Sequence, residues 1–163
     1  MGLADWHDLA IAVAGAVAAL TGLVFVALSI NLAKILEYPG LVGRAAEALV
    51  SLLQPLFVAF AVLMPGQSVR AAGVEVLVLS VITSGIILMI LFTSGRRAAR
   101  GRPRHEFATR CLLVSVAFVP TLVGAVVLCS SSTSGMYWLT AGVVSSVSVG
   151  IADAWILLVE IVR

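Results

Sequence analysis

The sequence predicts an all-α fold: a polytopic bundle of five transmembrane helices with the N-terminus outside and the C-terminus in the cytoplasm. Three observations predict it. Hydrophobic residues make up 61% of the 163 and charged residues 11%, against roughly 45–50% and about 25% in soluble domains. The apolar residues fall in five continuous runs, each longer than the roughly 18 residues a helix needs to cross a bilayer. Nine of the ten Lys and Arg residues lie on one side of those runs. Lipid offers the backbone no hydrogen bonds, so only helices or a closed barrel can span it. Barrel strands would alternate over about ten residues, and these runs do not.

The whole chain, residues 1–163, reads as a single transmembrane domain. The first helix is expected over residues 9–36, entered through Asp5-Trp6-His7-Asp8 and ended by Tyr38-Pro39-Gly40. The second is expected over 45–64 and stops at Pro65-Gly66. The third and fourth are expected over 71–93 and 107–129. A serine-rich turn from Ser130 to Gly135 precedes the fifth, expected over 137–162. The leading residues are acidic and the first run is long, which argues against a cleaved signal.

Charge sets the expected direction. Lys34 and Arg44 lie in the first connection; Arg96, Arg97, Arg100, Arg102, Arg104 and Arg110 lie in or beside the third; Arg163 ends the sequence. Only Arg70 lies in the second connection, and the fourth has no basic residue. The positive-inside rule then puts the first and third connections in the cytoplasm. Trp6, Tyr137 and Trp138 fall at the expected outer interface and Tyr38 at the inner one, as an aromatic belt requires. The arginines at 96, 97, 100, 102 and 104 read as a topology anchor touching anionic lipid headgroups. A cytoplasmic partner or phosphate-bearing ligand is the other use of such a loop.

The net charge of +2 is concentrated beside the spans, so topology accounts for it without nucleic acid. Cys111 and Cys129 lie on one expected helix, about 27 Å apart at 1.5 Å per residue, too far to bridge. His7 and His105 flank helices, and no spacing suggests a metal or cofactor.

Polar residues inside the spans carry the functional signal. Counted from the expected cytoplasmic ends, Gln54-Pro55, Thr83-Ser84, Pro120-Thr121 and Asp153 fall near a shared mid-membrane depth, with Thr21-Gly22 slightly beyond. Pro55 and Pro120 are expected helix breaks, because proline deletes a backbone hydrogen bond and exposes a carbonyl. Broken helices meeting at mid-depth build many transporter sites, while Pro, Gly, Ser and Thr also serve plain packing. Asp153 is the sharpest candidate: a carboxylate at depth must be paired, hydrated or protonated. Arg44 and Arg110 are its expected cationic neighbours, and Gln54 or Ser84 its expected hydrogen-bond partners. Asn31, Glu47 and Glu160 form a second layer nearer the cytoplasm, suited to an ion-pair network or a cation-attracting vestibule. Ala14, Ala18 and Gly22, flanked by Gly15 and Ala19, allow close helix contact within the chain or between copies. A homo-oligomer is expected, because five helices enclose little space.

The stretch LTGLVFVALSINLAKIL (20–36), followed by PGLVGRAAEALVSLL (39–53), PGQS (65–68) and the closing DAWILLVEIVR (153–163), resembles a group of small bacterial membrane proteins. Members are uncharacterised, with occasional labels as modulators of a membrane protease. The resemblance implies a bacterial inner-membrane location and supplies no catalytic residue.

Two functions fit these residues. One is a channel or small transporter for protons or small cations, with Asp153, Gln54, Asn31, Glu47, Glu160, Ser84 and Thr121 along its route. The other is a non-catalytic scaffold or regulator that binds another membrane protein through the first helix and the arginine-rich loop. Enzymatic activity is not expected: intramembrane hydrolysis would want paired aspartates, a Ser–His arrangement or a buried histidine cluster.

Overall fold

A computed structural model describes residues 3–98 and 104–162. Every element in them is helical: a short 3-10 turn (Leu3–Trp6), then α1 (His7–Ile30), α2 (Leu32–Glu37), α3 (Pro39–Leu63), α4 (Val69–Ala98), α5 (Arg104–Cys129) and α6 (Gly135–Val162). Five of these helices are long and apolar enough to cross a membrane: α1 and the greater part of α3, α4, α5 and α6.

Several boundaries differ from expectation, and local chemistry explains two of them. The first helix is interrupted at Asn31, which separates α1 from α2. Its side-chain amide donates to the Ala27 carbonyl at 2.9 Å, an interaction that competes with the helical ladder. The second spanning helix begins at Pro39 rather than residue 45. The residue before a proline is pushed out of the helical region, and Tyr38 is extended (φ −119°, ψ 102°). Proline itself suits the first helical position, where its missing N–H would have no partner. The reversal is therefore a single residue long.

The other turns follow the same logic. Met64 is extended, and Gly66 takes the left-handed conformation (φ +71°) that ends α3. The Ser68 hydroxyl accepts from the Ala71 N–H at 3.2 Å, capping α4. Pro55 and Pro120 lie inside continuous helices, so neither is the break expected of it.

Helices α3, α4, α5 and α6 close into a ring, each packed on the next and α6 packed back on α3. Helix α1 lies outside, against α3. Within the spanning windows 56% of α3 is buried but only 11% of α1, which separates a central helix from a peripheral one. Close approach in the ring depends on glycine. A Cβ at Gly142 of α6 would collide with the Thr121 hydroxyl of α5. One at Gly150 would sit 2.9 Å from Cγ of Leu52 on α3. The two glycines of α1 do not serve this purpose within the chain, since a Cβ at Gly15 or Gly22 would meet nothing within 4 Å.

Candidate functional site

On α3, Arg44, Glu47, Ser51 and Gln54 recur at intervals of three and four residues, which places them on one helix face. On α6, Gly142, Ser146, Gly150 and Asp153 do the same. The two faces meet antiparallel: Ser146 contacts Ser51 and Gln54, while Gly150 sits over Leu52 and Ala48. A polar seam therefore runs along the α3–α6 contact.

Its charged end lies inside the ring. Glu47 is 2% exposed and Asp153 6%. Nη2 of Arg110, on α5, donates to Oε2 of Glu47 at 3.0 Å, reaching across the diagonal of the four-helix ring. The pair is monodentate: Oε1 of Glu47 and Nε of Arg110 are both buried without a hydrogen-bond partner. Asp153 makes no ion pair within 4.0 Å among the described residues, yet it lies in the electrostatic field of Arg44, Arg110 and Glu47. Among the described residues the cluster sets two carboxylates against two guanidiniums, and opposite charges so placed offset one another's cost of burial.

Two turns along the seam comes a neutral station. The Ser146 hydroxyl donates to the Ser51 carbonyl at 2.8 Å and lies 3.4 Å from Oε1 of Gln54. Nε2 of Gln54 is buried without a partner. Beside it, between α3 and α4, Gln54, Phe57, Val58, Val76, Leu79 and Ser80 meet around packing gaps too small to hold a water molecule. Beyond this level the ring fills with apolar side chains, including Val58, Val62, Val76, Leu128, Leu139 and Val143.

The shared depth expected for Gln54 and Asp153 does not hold. Asp153 is level with Glu47, and Gln54 with Ser146 two turns away. The helix start is the reason: α3 begins at Pro39, so Gln54 lies deeper in its helix than a start at residue 45 implies. Hydrogen bonds from Asp153 to Gln54 or Ser84 are absent. Ser84 is on α4, with a buried hydroxyl that has no partner. Thr121 is buried against Gly142, and Asn31 is satisfied locally by Ala27. The Glu160 side chain lies outside the described residues, as do those of Arg96, Arg97 and Arg104 and the whole of Arg100 and Arg102. Ser51, Ser80 and Ser146 escaped sequence reasoning. No group of three or more His, Cys, Asp or Glu side chains able to hold a metal occurs among the described residues.

Fold and site together define a multi-pass helical membrane protein class with a cluster of opposite charges at one end of its ring. Compared with protein-family models, curated proteins and solved structures, the chain matches none.

Proposed function

We propose that this protein moves protons across a bacterial inner membrane, as a small channel or transporter whose route follows the α3–α6 seam. The observation that carries the reading is Asp153: a buried carboxylate that makes no ion pair among the described residues, held beside the Glu47–Arg110 pair. Such a group can take and release a proton without dismantling a direct bridge, and intramembrane carboxylates commonly mark proton relays. Gln54 and Ser146 are the next polar groups along the route. The gaps in the packing beside Gln54 are too small for a water molecule and leave no room for a hydrated cation, which favours protons over larger ions. The apolar half of the ring is the barrier, opened by water entry or helix movement.

Proton flux into proteoliposomes tests this directly. Wild type is expected to exceed empty vesicles, with Asp153→Asn reducing flux at least tenfold. Equal flux from wild type, Asp153→Asn and empty vesicles refutes the proposal.

The scaffold reading has one observation of its own. Helix α1 is packed on one side only, and its glycines, Gly15 and Gly22, face open space. A stoichiometric foreign membrane protein recovered with the chain, and lost on Gly15→Leu/Gly22→Leu, would favour that reading; self-association alone favours the oligomeric transporter.

A further inference from the structure

A proline inside a spanning helix leaves one carbonyl without its ladder donor, and away from water that oxygen must find another. In α3 the proline is Pro55. The N–H it lacks would have bonded the carbonyl four positions earlier, that of Ser51. Both residues are fully buried, so the opened carbonyl belongs to the interior of the ring.

The replacement donor comes from another helix. The Ser146 hydroxyl of α6 donates to the Ser51 carbonyl at 2.8 Å. Oε1 of Gln54 is a second acceptor, at 3.4 Å. A hydroxyl has one proton to give, and the shorter contact takes it. Ser145 and Ser148, on the same helix, donate instead to carbonyls of α6 itself. Helix α6 can come this close because position 150, one turn further on, is a glycine set over Leu52 and Ala48 of α3. The Ser51–Ser146 contact lies one turn from Glu47 on α3 and two turns from Asp153 on α6, along the faces that carry both acids.

We propose that Pro55 and Ser146 are a matched pair: the proline opens the Ser51 carbonyl in α3, and the serine closes it from α6. Pro55 is then a positioning residue, acting through Ser51 and Ser146 to fasten the two helices that hold Glu47 and Asp153. With any other residue at position 55, α3 would satisfy the carbonyl itself and the serine bond would be surplus. The pairing stands apart from the proton route, because it concerns how the seam is joined and not what passes along it.

The test reads the Ser51 carbonyl directly. Ser51–Leu52 is the only Ser-Leu step in the sequence. Cell-free synthesis of the full chain, with serine labelled at its carbonyl carbon and leucine at its nitrogen, therefore gives a single correlated carbonyl resonance in detergent micelles. Ser146→Ala should move that resonance upfield, the direction of a lost hydrogen bond. In Pro55→Ala, where the N–H of position 55 is restored, adding Ser146→Ala should leave it in place. Denaturant titration supplies the energetic counterpart. Ser146→Ala should lower the folding equilibrium constant about threefold to tenfold with proline present, and less than about twofold beside Pro55→Ala. A Ser51 resonance unmoved by Ser146→Ala, or equal losses in the two backgrounds, overturns the proposal. Should Pro55→Ala fail to fold, the resonance in Ser146→Ala alone decides.

Discussion

Arg110 and Glu47, 63 residues apart in sequence, join the two diagonal helices of the ring through a 3.0 Å ion pair. Most contacts in the bundle link adjacent helices, so this pair occupies the interior rather than a seam. It also decides how Asp153 is held. The aspartate shares the field of the same guanidinium without bonding to it, while Arg44 adds a second positive charge. One carboxylate is thus anchored and the other is not.

Breaking the anchored pair from one side should be costly. Arg110→Met leaves the Glu47 carboxylate buried, and Glu47→Gln leaves the guanidinium without its counter-charge. Each should destabilise by about 1–3 kcal/mol, below the 3–5 kcal/mol range for buried pairs in water because the unfolded state in a membrane also finds partners. Glu47→Gln combined with Arg110→Met should recover much of the loss. Denaturant titration in mixed micelles measures all three; a double variant no better than the worse single variant would contradict the pairing.

The glycines divide into two groups with opposite expected responses. At Gly142 an added methyl meets the Thr121 hydroxyl and, at 2.8 Å, the Thr121 backbone nitrogen, so α5 and α6 must separate. Gly142→Ala should cost about 1–3 kcal/mol, as overpacking of a filled core does. At Gly22 the methyl meets nothing. Gly22→Ala should be neutral or stabilising by up to about 1 kcal/mol, because alanine holds a helix better than glycine. Thermal melts of both variants in detergent check the contrast. A Gly22→Ala loss equal to that of Gly142→Ala would mean that the α1 face is packed against something in the intact assembly.

Helix number and the buried acids were legible in the sequence because a charge inside an apolar run has few innocent explanations. Register was less so. Proline at position 39 reads as the end of one helix but also begins the next, and the depth of Gln54 shifts with that origin. Ser146 could not be picked out at all. Ser29, Ser115, Ser145 and Ser148 each donate back to a carbonyl four residues earlier, the ordinary fate of serine in a membrane helix. Only the antiparallel packing of α6 on α3 turns Ser146 toward another helix.

That difference predicts unequal effects for two serines on one helix. Ser146→Ala removes a buried interhelical bond and strands the Ser51 carbonyl, and should destabilise by about 0.5–1.5 kcal/mol. Ser148→Ala removes only an exposed bond within α6 and should fall within about 0.5 kcal/mol of wild type. Denaturant titration of the two variants gives the comparison. Equal values would place Ser146 outside any interhelical contact.

The contrast between the two buried acids separates a mechanistic role from a structural one. Glu47 is bonded directly to a guanidinium, whereas Asp153 lies in the field of two, Arg44 and Arg110, with no ion pair among the described residues. Asp153→Asn preserves size and removes the ionisable group, so it should cost less than half as much stability as Glu47→Gln. In proteoliposomes the order should invert. Asp153→Asn loses proton flux while remaining folded, and Asp153→Glu retains part of it. Stability and flux must be measured on the same preparations, because an unfolded variant also conducts nothing. If Asp153→Asn unfolds as readily as Glu47→Gln, the aspartate is a brace within the charge cluster, and a relay through it loses its main support.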